Sequence, residues 1–162
     1  MNKIIKNGTR HNFKCYDRNG VLVWREDNVP NLVVTTGLNK IADEYWSGSG
    51  YTAAHYVGLK STGTAVLADT MASHASWTES VIYSEATREA LTFGAAAAGV
   101  AAGATVSFSI NASGTIGGTF ITTDDEKGVA NGTLIVAADF SSSHTVESGY
   151  TLDDDITFTL AN

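Results

Sequence analysis

Apolar and polar residues alternate along several short segments of the chain, a pattern typical of half-buried β-strands. In the first of them, His11, Phe13 and Cys15 fall on one side, with basic or polar residues between them. An Asn-Gly pair at 19–20 follows, and this pair is a strong signal for a tight hairpin turn. The sequence therefore predicts a strand that turns back into a second strand at residues 21–25.

Similar segments recur through the second half of the chain. The two adjacent glycines at 117–118 predict a bulge or a close approach of two backbones within one of these strands. Pro30 is expected to interrupt the pattern, and the Ala- and Gly-rich residues 95–103 are expected to form a flexible connection. The remaining predicted strands lie at residues 54–59, 87–93, 106–110, 116–120, 134–140 and 156–160.

One segment has helical spacing instead. Leu38, Ile41, Ala42 and Tyr45 recur at intervals that place them on one face of a helix, and Thr36 could cap its N-terminus. The pattern predicts one short helix near residues 37–46, with these four side chains on one face.

Turn signals every 8–12 residues are typical of β-sandwiches and jelly rolls. The chain of 162 residues suits one domain. We therefore expect an all-β protein with a single β-sandwich or jelly-roll-like domain at residues 13–162, preceded by an N-terminal arm at residues 1–12 that could serve in docking. The pattern leaves the order of the strands open.

Composition changes this picture in two ways. Hydrophobic residues make up 43% of the chain, which excludes a disordered protein, and only 17% of residues are charged. The net charge of −7 is unevenly placed. Residues 1–40 hold seven Lys and Arg against three acids, whereas residues 41–162 hold three against fourteen. The basic front could dock on an acidic partner or on the acidic body of a neighbouring copy, or both regions could simply be solvated.

Several function classes lack support. The acidic balance argues against nucleic acid as a partner, and no apolar stretch is long enough to span a membrane. No signal peptide is visible, so we expect synthesis in a cytoplasm.

The chain has neither the sequence motif of a hydrolase nucleophile nor a phosphate-binding loop. The single Cys and the four scattered histidines form no metal-binding or catalytic spacing. We therefore expect no enzymatic activity and no cofactor.

Two acidic clusters and three tryptophans keep alternatives open. Residues 124–126 and 153–155 could hold a hard cation, although solvated turn carboxylates are the simpler interpretation. Trp24, Trp46 and Trp77 could form an aromatic platform for carbohydrate, or they could be core or interface anchors.

Several longer stretches of the chain form a further pattern: DRNGVLVW at 17–24, TGLN at 36–39, YVGL at 56–59, TMASHASWTE at 70–79, YSEATR at 83–88, ALTFG at 90–94, FSINA at 108–112, TIGGTF at 115–120, GTL at 132–134 and ITFTL at 156–160. Together these stretches resemble a group of small structural proteins of tailed-phage virions. The resemblance is a pattern across most of residues 13–160, and no catalytic motif comes with it.

This resemblance implies a β-sandwich located in the virion, made in the host bacterial cytoplasm and present in many copies on the particle. It implies a capsid decoration or cement protein, whose partners would be the major capsid protein and copies of itself in a homo-oligomer. The alternative is a tail or receptor-binding module, which could bind carbohydrate. The residues we expect to dock are Lys3, Lys6, Arg10, Lys14 and Arg18 for their charge, and Tyr16, Trp24, Tyr45 and Trp46 for their buried area.

Overall fold

The alternating segments form ten antiparallel strands and one helix in the computed structural model, which describes residues 8–45, 50 and 54–159. Helix α1 (Thr35–Tyr45) lies between the second and third strands. The strands are β1 (Gly8–Tyr16), β2 (Leu22–Val33), β3 (Tyr56–Lys60), β4 (Glu79–Ser80), β5 (Glu89–Ala90), β6 (Val100–Ala102), β7 (Val106–Ser109), β8 (Gly114–Thr122), β9 (Leu134–Val146) and β10 (Thr151–Thr159).

The strands form one continuous sheet that folds over on itself. Its order is β4-β3-β8-β9-β2-β1-β10-β6, with β5 also paired to β3 and β7 to β10. Strand β2 pairs with β1 as far as Pro30 and with β9 from Asn31 onward, so it belongs to both halves of the sheet. The first half consists of β1, β10, β6, β7 and the start of β2, and the second half consists of β9, β8, β3, β4, β5 and the end of β2.

The two halves enclose one main hydrophobic core. Phe13, Phe108 and Ile156 enter it from the first half, and Leu59 and Ile116 enter it from the second. The edge of the Phe13 ring meets Phe140 of β9 at 4.6 Å between ring centroids. The prediction of an all-β, sandwich-like domain with one short helix is therefore confirmed.

Alternation along the strands explains which residues fill this core. In β1, His11, Phe13 and Cys15 are fully buried, as the sequence pattern predicts. The predicted irregularity at residues 117–118 is also present, because the pairing of β8 with β9 shifts register there. A Cβ atom at Gly118 would lie 1.9 Å from the carbonyl oxygen of Ala138, so only glycine fits at this crossing.

The predicted break at Pro30 is wrong, and the connection predicted at residues 95–103 is present only in part, since β6 begins at Val100. Pro30 lies inside β2, at the point where this strand stops pairing with β1 and starts pairing with β9. Proline has no backbone N–H group to donate, and it is tolerated here because a ladder of hydrogen bonds ends at this point. The run at 95–103 contains a tight turn in which Ala98 and Gly99 both have positive φ, 50° and 77°. The chain then returns as β6, which pairs with β10.

The helix occurs as predicted, from Thr35 to Tyr45. On its apolar face, Leu38 and Ile41 are 52% and 42% exposed. The helix contacts β9 through Gly37, where a Cβ atom would lie 2.2 Å from the carbonyl oxygen of Ile135. Thr36 does not cap the helix, because its hydroxyl donates to the carbonyl of Leu134. A close backbone contact thus holds the helix while its apolar face stays exposed.

The predicted boundary of the N-terminal arm at residue 12 falls inside β1. Residues 8–12 pair with β10 in an unbroken register from Gly8 with Thr159 to Asn12 with Asp155. Residues 8–12 therefore belong to the sheet, and the rest of the predicted arm, residues 1–7, lies outside the described residues.

Candidate functional site

An apolar pocket of about 280 Å³ opens at the end of the molecule where β1 begins. Both halves of the sheet and α1 contribute to its wall. Two of its lining residues are polar: Thr9, whose hydroxyl is hydrogen-bonded to His11 Nε2 at 3.0 Å, and His55, whose pKa is lowered by burial. Its main apolar lining residues are Val33, Ile41, Phe93, Ala101, Ile135 and Phe158.

A second apolar surface lies next to this pocket. Leu38 is one helical turn from the pocket residue Ile41, and Val66 and Leu67 adjoin the start of the helix, where Thr35 N–H donates to the Leu67 carbonyl at 3.0 Å. Leu38, Val66 and Leu67 are 52%, 50% and 55% exposed. We call these three residues the helix face.

A third apolar surface lies at the opposite end of the first half of the sheet. Val21, Leu22 and Val23, which we call the hairpin tip, are 60%, 47% and 47% exposed. Asp17 holds the turn before them, because its carboxylate accepts the N–H groups of Val21 at 2.9 Å and Asn19 at 2.8 Å. These hydrogen bonds lower the pKa of Asp17. The hairpin tip is thus presented on a well-bonded turn.

The basic residues predicted to dock are partly occupied within the chain itself. Lys14 Nζ lies 2.9 Å from Asp155, and this hydrogen bond raises the pKa of Lys14. Arg10 donates to the carbonyl of Asn28, and Arg18 is exposed at the hairpin turn. Lys3 and Lys6 lie outside the described residues.

The predicted aromatic anchors are mostly packed against their own domain. Tyr16 is half-buried, and Trp24 stacks on His144 at 3.9 Å between ring centroids. Trp77 is buried, stacks on His74, and donates its indole N–H to Asp69 at 2.9 Å. Neither tryptophan forms an exposed platform. Trp46 and the side chain of Tyr45 lie outside the described residues.

Sequence reasoning missed a buried polar network that joins the two halves. His11 Nδ1 lies 2.9 Å from Asp154 Oδ2, and the Thr119 hydroxyl donates to the same oxygen at 3.3 Å. Burial raises the pKa of Asp154, while His11 opposes that shift. One signal was present in the sequence: Asp154 lies between Leu152 and Ile156 at the inward positions of an alternating strand, so it needs a buried partner.

This network has the connectivity of a hydroxyl, an imidazole and a carboxylate, since Thr9 bonds His11 and His11 bonds Asp154. His11 and Asp154 are fully buried, however, and Thr9 is only 5% exposed. A second imidazole–carboxylate pair, His144 with Glu26 at 2.6 Å, holds β9 against β2 near the surface. Both pairs connect strands, and their geometry accounts for the position of each histidine without a substrate.

The two acidic clusters differ in arrangement. In β10, Asp153 and Asp155 point away from the core and accept the hydroxyls of Ser107 and Thr105, both at 2.6 Å, whereas Asp154 points inward. Within the described part of the chain, no group of three or more His, Cys, Asp or Glu side chains could hold a metal ion. The described residues also include no helix with the length and apolar character needed to cross a bilayer.

Comparison with known proteins adds no relative from which a function could be transferred. No family model matches the chain, and no curated protein sequence matches it. The exposed apolar surfaces are therefore the features from which a function has to be argued.

Proposed function

We propose that this chain is a structural protein of a tailed-phage virion, a capsid decoration or cement protein that binds the capsid surface in many copies. It would act by contact and would not be an enzyme. The major capsid protein and further copies of the chain would be its partners. The sequence resemblance described above is one support for this proposal.

The observation that carries the proposal is the exposure of large apolar side chains in separate clusters on one small domain. Each residue of the helix face is at least half exposed. Clusters of exposed apolar residues mark interaction surfaces more often than isolated ones do. Leu38 projects from α1, and the loop that carries Val66 and Leu67 is bonded to the start of this helix through the Leu67 carbonyl, so a partner would meet a preformed surface.

The charges favour an apolar contact over an electrostatic one. Lys14, Arg25, Lys40, Lys60 and Arg88 each form an ion pair within the chain. Arg10 and Lys127 instead donate to backbone carbonyls, so docking through charge would rely on these two, on Arg18 and on the lysines before β1. We infer that the helix face makes the main contact with the capsid, and that repetition over many copies compensates for a modest affinity at each site.

The direct test is to add purified protein to particles from which it is absent and to locate it by cryo-electron microscopy. We expect density on the capsid surface in a regular, repeated arrangement. Density confined to the tail, together with binding in a glycan screen, would support the tail or receptor-binding alternative instead. Absence of the protein from both the head and the tail of native particles would refute a virion role.

Matched variants test which surface binds. Leu38→Asp should lower capsid occupancy at least tenfold, because burying a leucine stabilises a contact by about 1.5–3 kcal/mol and a charge reverses that gain. Val81→Asp is the control, since Val81 is 47% exposed and lies outside the helix face. Equal binding by the two variants would exclude the helix face.

Salt and a truncation separate the apolar contact from docking by the basic front. If the helix face dominates, occupancy should be nearly unchanged between about 50 and 500 mM salt, and removal of residues 1–7 should leave it intact. A steep loss in either experiment would favour charge-driven docking. The truncation stops before Gly8 because residues 8–12 belong to β1.

A further inference from the structure

A buried lysine and an aspartate meet across the second half of the sheet. Lys60 of β3 pairs with Gly118 of β8, and Gly118 pairs in turn with Asp139 of β9, so the three residues form one row across three neighbouring strands. Residues paired in this way carry their side chains on the same face of a sheet. Because Gly118 has no side chain, that of Lys60 crosses β8 unhindered and reaches Asp139, with 2.6 Å between Nζ and Oδ1.

The surroundings of the Lys60 amino group are dry and offer few acceptors. The side chain is fully buried, and Nζ lies 5.7 Å from the centre of the buried Trp77 ring. Among the described residues, two oxygens accept hydrogen bonds from Nζ, namely Asp139 Oδ1 and the carbonyl oxygen of Gly63 at 2.5 Å. An ammonium group has three N–H donors. Two acceptors match the two N–H groups of a neutral amine, which also has a free electron pair.

The carboxyl group of Asp139 is held from its other side. Its Oδ2 accepts the backbone N–H of Ala65 at 3.0 Å, while Oδ1 faces Lys60. Gly63 and Ala65 belong to the loop after β3, which packs tightly here, since a Cβ atom at Gly63 would lie 1.9 Å from the carbonyl oxygen of Ser76. The Asp139 side chain is 32% exposed, so a small molecule released at the carboxyl group could leave.

We propose that Lys60 and Asp139 condense in the folded chain to form an isopeptide bond, with release of one water molecule. Nζ already contacts Oδ1, and Cγ is the next atom along, at roughly the 3–3.5 Å of a near-attack geometry. Rotation about the soft Cβ–Cγ torsion turns the face of the carboxyl group toward the nitrogen. Positioning of this kind is equivalent to a concentration of about 10⁵–10⁸ M, which offsets the tendency of bulk water to hydrolyse an amide.

The two side chains supply every atom of the reaction. One proton passes from Nζ to Oδ1 along their hydrogen bond, and the electron pair of Nζ then attacks Cγ. Negative charge develops on Oδ2, where the N–H group of Ala65 can stabilise it. The bond from Cγ to Oδ1 breaks, and Oδ1 leaves as water with a second proton from Nζ. An ammonium and a carboxylate thus become an amide and water, with no oxidant, reductant or further reactant.

The bond would be a covalent brace within one half of the sheet. It would join β3 to β9 across β8 and replace a buried ammonium group, which is costly to desolvate, by a neutral amide. Strand β3 could then no longer separate from the sheet by loss of hydrogen bonds alone. This inference goes beyond the proposed function and does not rest on it, because it concerns a reaction within the isolated chain.

The test is mass spectrometry of the purified, folded chain. Its intact mass should be lower than the mass of the sequence by one water molecule, in most of the population after prolonged incubation. Trypsin should fail to cut after Lys60, because the amino group is acylated. Residues 41–88 and 128–162 should therefore appear as one branched peptide, and fragmentation should place the branch at Lys60 and Asp139.

Two controls separate this reaction from other losses of water. Lys60→Met has no amino group to react, so it should keep its full sequence mass, whereas an aspartate that cyclised elsewhere would still lose water in this variant. The ion pair of Lys14 with Asp155 is the control within the wild-type chain. Its side chains are 40% and 37% exposed, and trypsin should cut after Lys14 as usual.

Three results would overturn the proposal. The first is a folded wild-type chain that keeps its full sequence mass and is cut completely after Lys60. The second is loss of water by Lys60→Met to the same extent as by the wild type. The third is a branch at Lys14 as frequent as the branch at Lys60, which would show that the buried geometry has no part in the reaction. The first and third results come from the wild-type chain, so they hold even if Lys60→Met fails to fold.

Discussion

Replacement of Asp154 by leucine should destabilise the fold more than any single exchange on the neighbouring outward positions of β10. The Asp154 carboxylate is fully buried and bonds both His11 and Thr119. Its removal leaves two buried polar groups without a partner, each costing about 1–3 kcal/mol. With two such groups left unpaired, we expect a loss of about 2–6 kcal/mol.

A double-mutant cycle makes the reasoning sharper. His11→Leu alone should cost a similar amount, because it leaves the buried carboxylate uncompensated. The combined variant His11→Leu, Asp154→Leu replaces the pair by apolar side chains and orphans only Thr9 and Thr119. It should lose about 1–3 kcal/mol, well below the sum of the single losses.

The assay is urea unfolding followed by tryptophan fluorescence, since Trp24 and Trp77 are both packed inside the domain. The control is Asp153→Leu, whose position faces outward and which should change the free energy of unfolding by less than about 1 kcal/mol. Two results would refute the view that the His11–Asp154 pair holds the two halves of the sheet together. One is a loss in the free energy of unfolding below about 1 kcal/mol for Asp154→Leu. The other is a loss for the double variant equal to the sum of the two single losses.

Three further predictions concern other parts of the fold. Gly118→Ala should cost more than about 3 kcal/mol in urea unfolding, because its Cβ would strike the backbone of β9, whereas Gly128→Ala has room and should cost about 1 kcal/mol. Equal losses for the two would contradict this. Burial raises the pKa of the Cys15 thiol to about 11, so a thiol reagent at pH 8 should label it only on unfolding. Fast labelling of the native chain would show that this strand opens. Arg88→Met should lower the unfolding midpoint strongly, because buried Arg88 bonds Glu79 through two nitrogens, and an unchanged midpoint would count against that pair.

Much of the fold follows from local pattern. The alternation around Phe13 and Phe108, the Asn-Gly turn and the double glycine in β8 each depend on neighbours in the sequence, and each is found as predicted. The order of the strands cannot be predicted from local pattern, because it depends on pairing between strands that are far apart in the sequence. Strand β2 illustrates this, since its change of partner at Pro30 has no local signal other than the proline itself.

The exposed apolar surfaces and the pocket were harder to predict for a related reason. Spacing places Leu38 and Ile41 on one helical face, but only the contact of Gly37 with Ile135 determines that this face points outward. The pocket combines residues from both halves of the sheet and from α1. Likewise, His11 and Asp154 are 143 residues apart, so their pairing appears only once the sheet is closed.

The passage of β2 through both halves has a mechanical consequence. If a neighbour holds the hairpin tip, tension enters the domain at Leu22 and runs along a continuous backbone to Val33, where β2 is bonded to β9. The force is then parallel to the strands, and β1 and β2, which both end at the tip, must slide together past β10 and β9 with several hydrogen bonds breaking together. A chain pulled in this direction should resist extension far better than one peeled strand by strand.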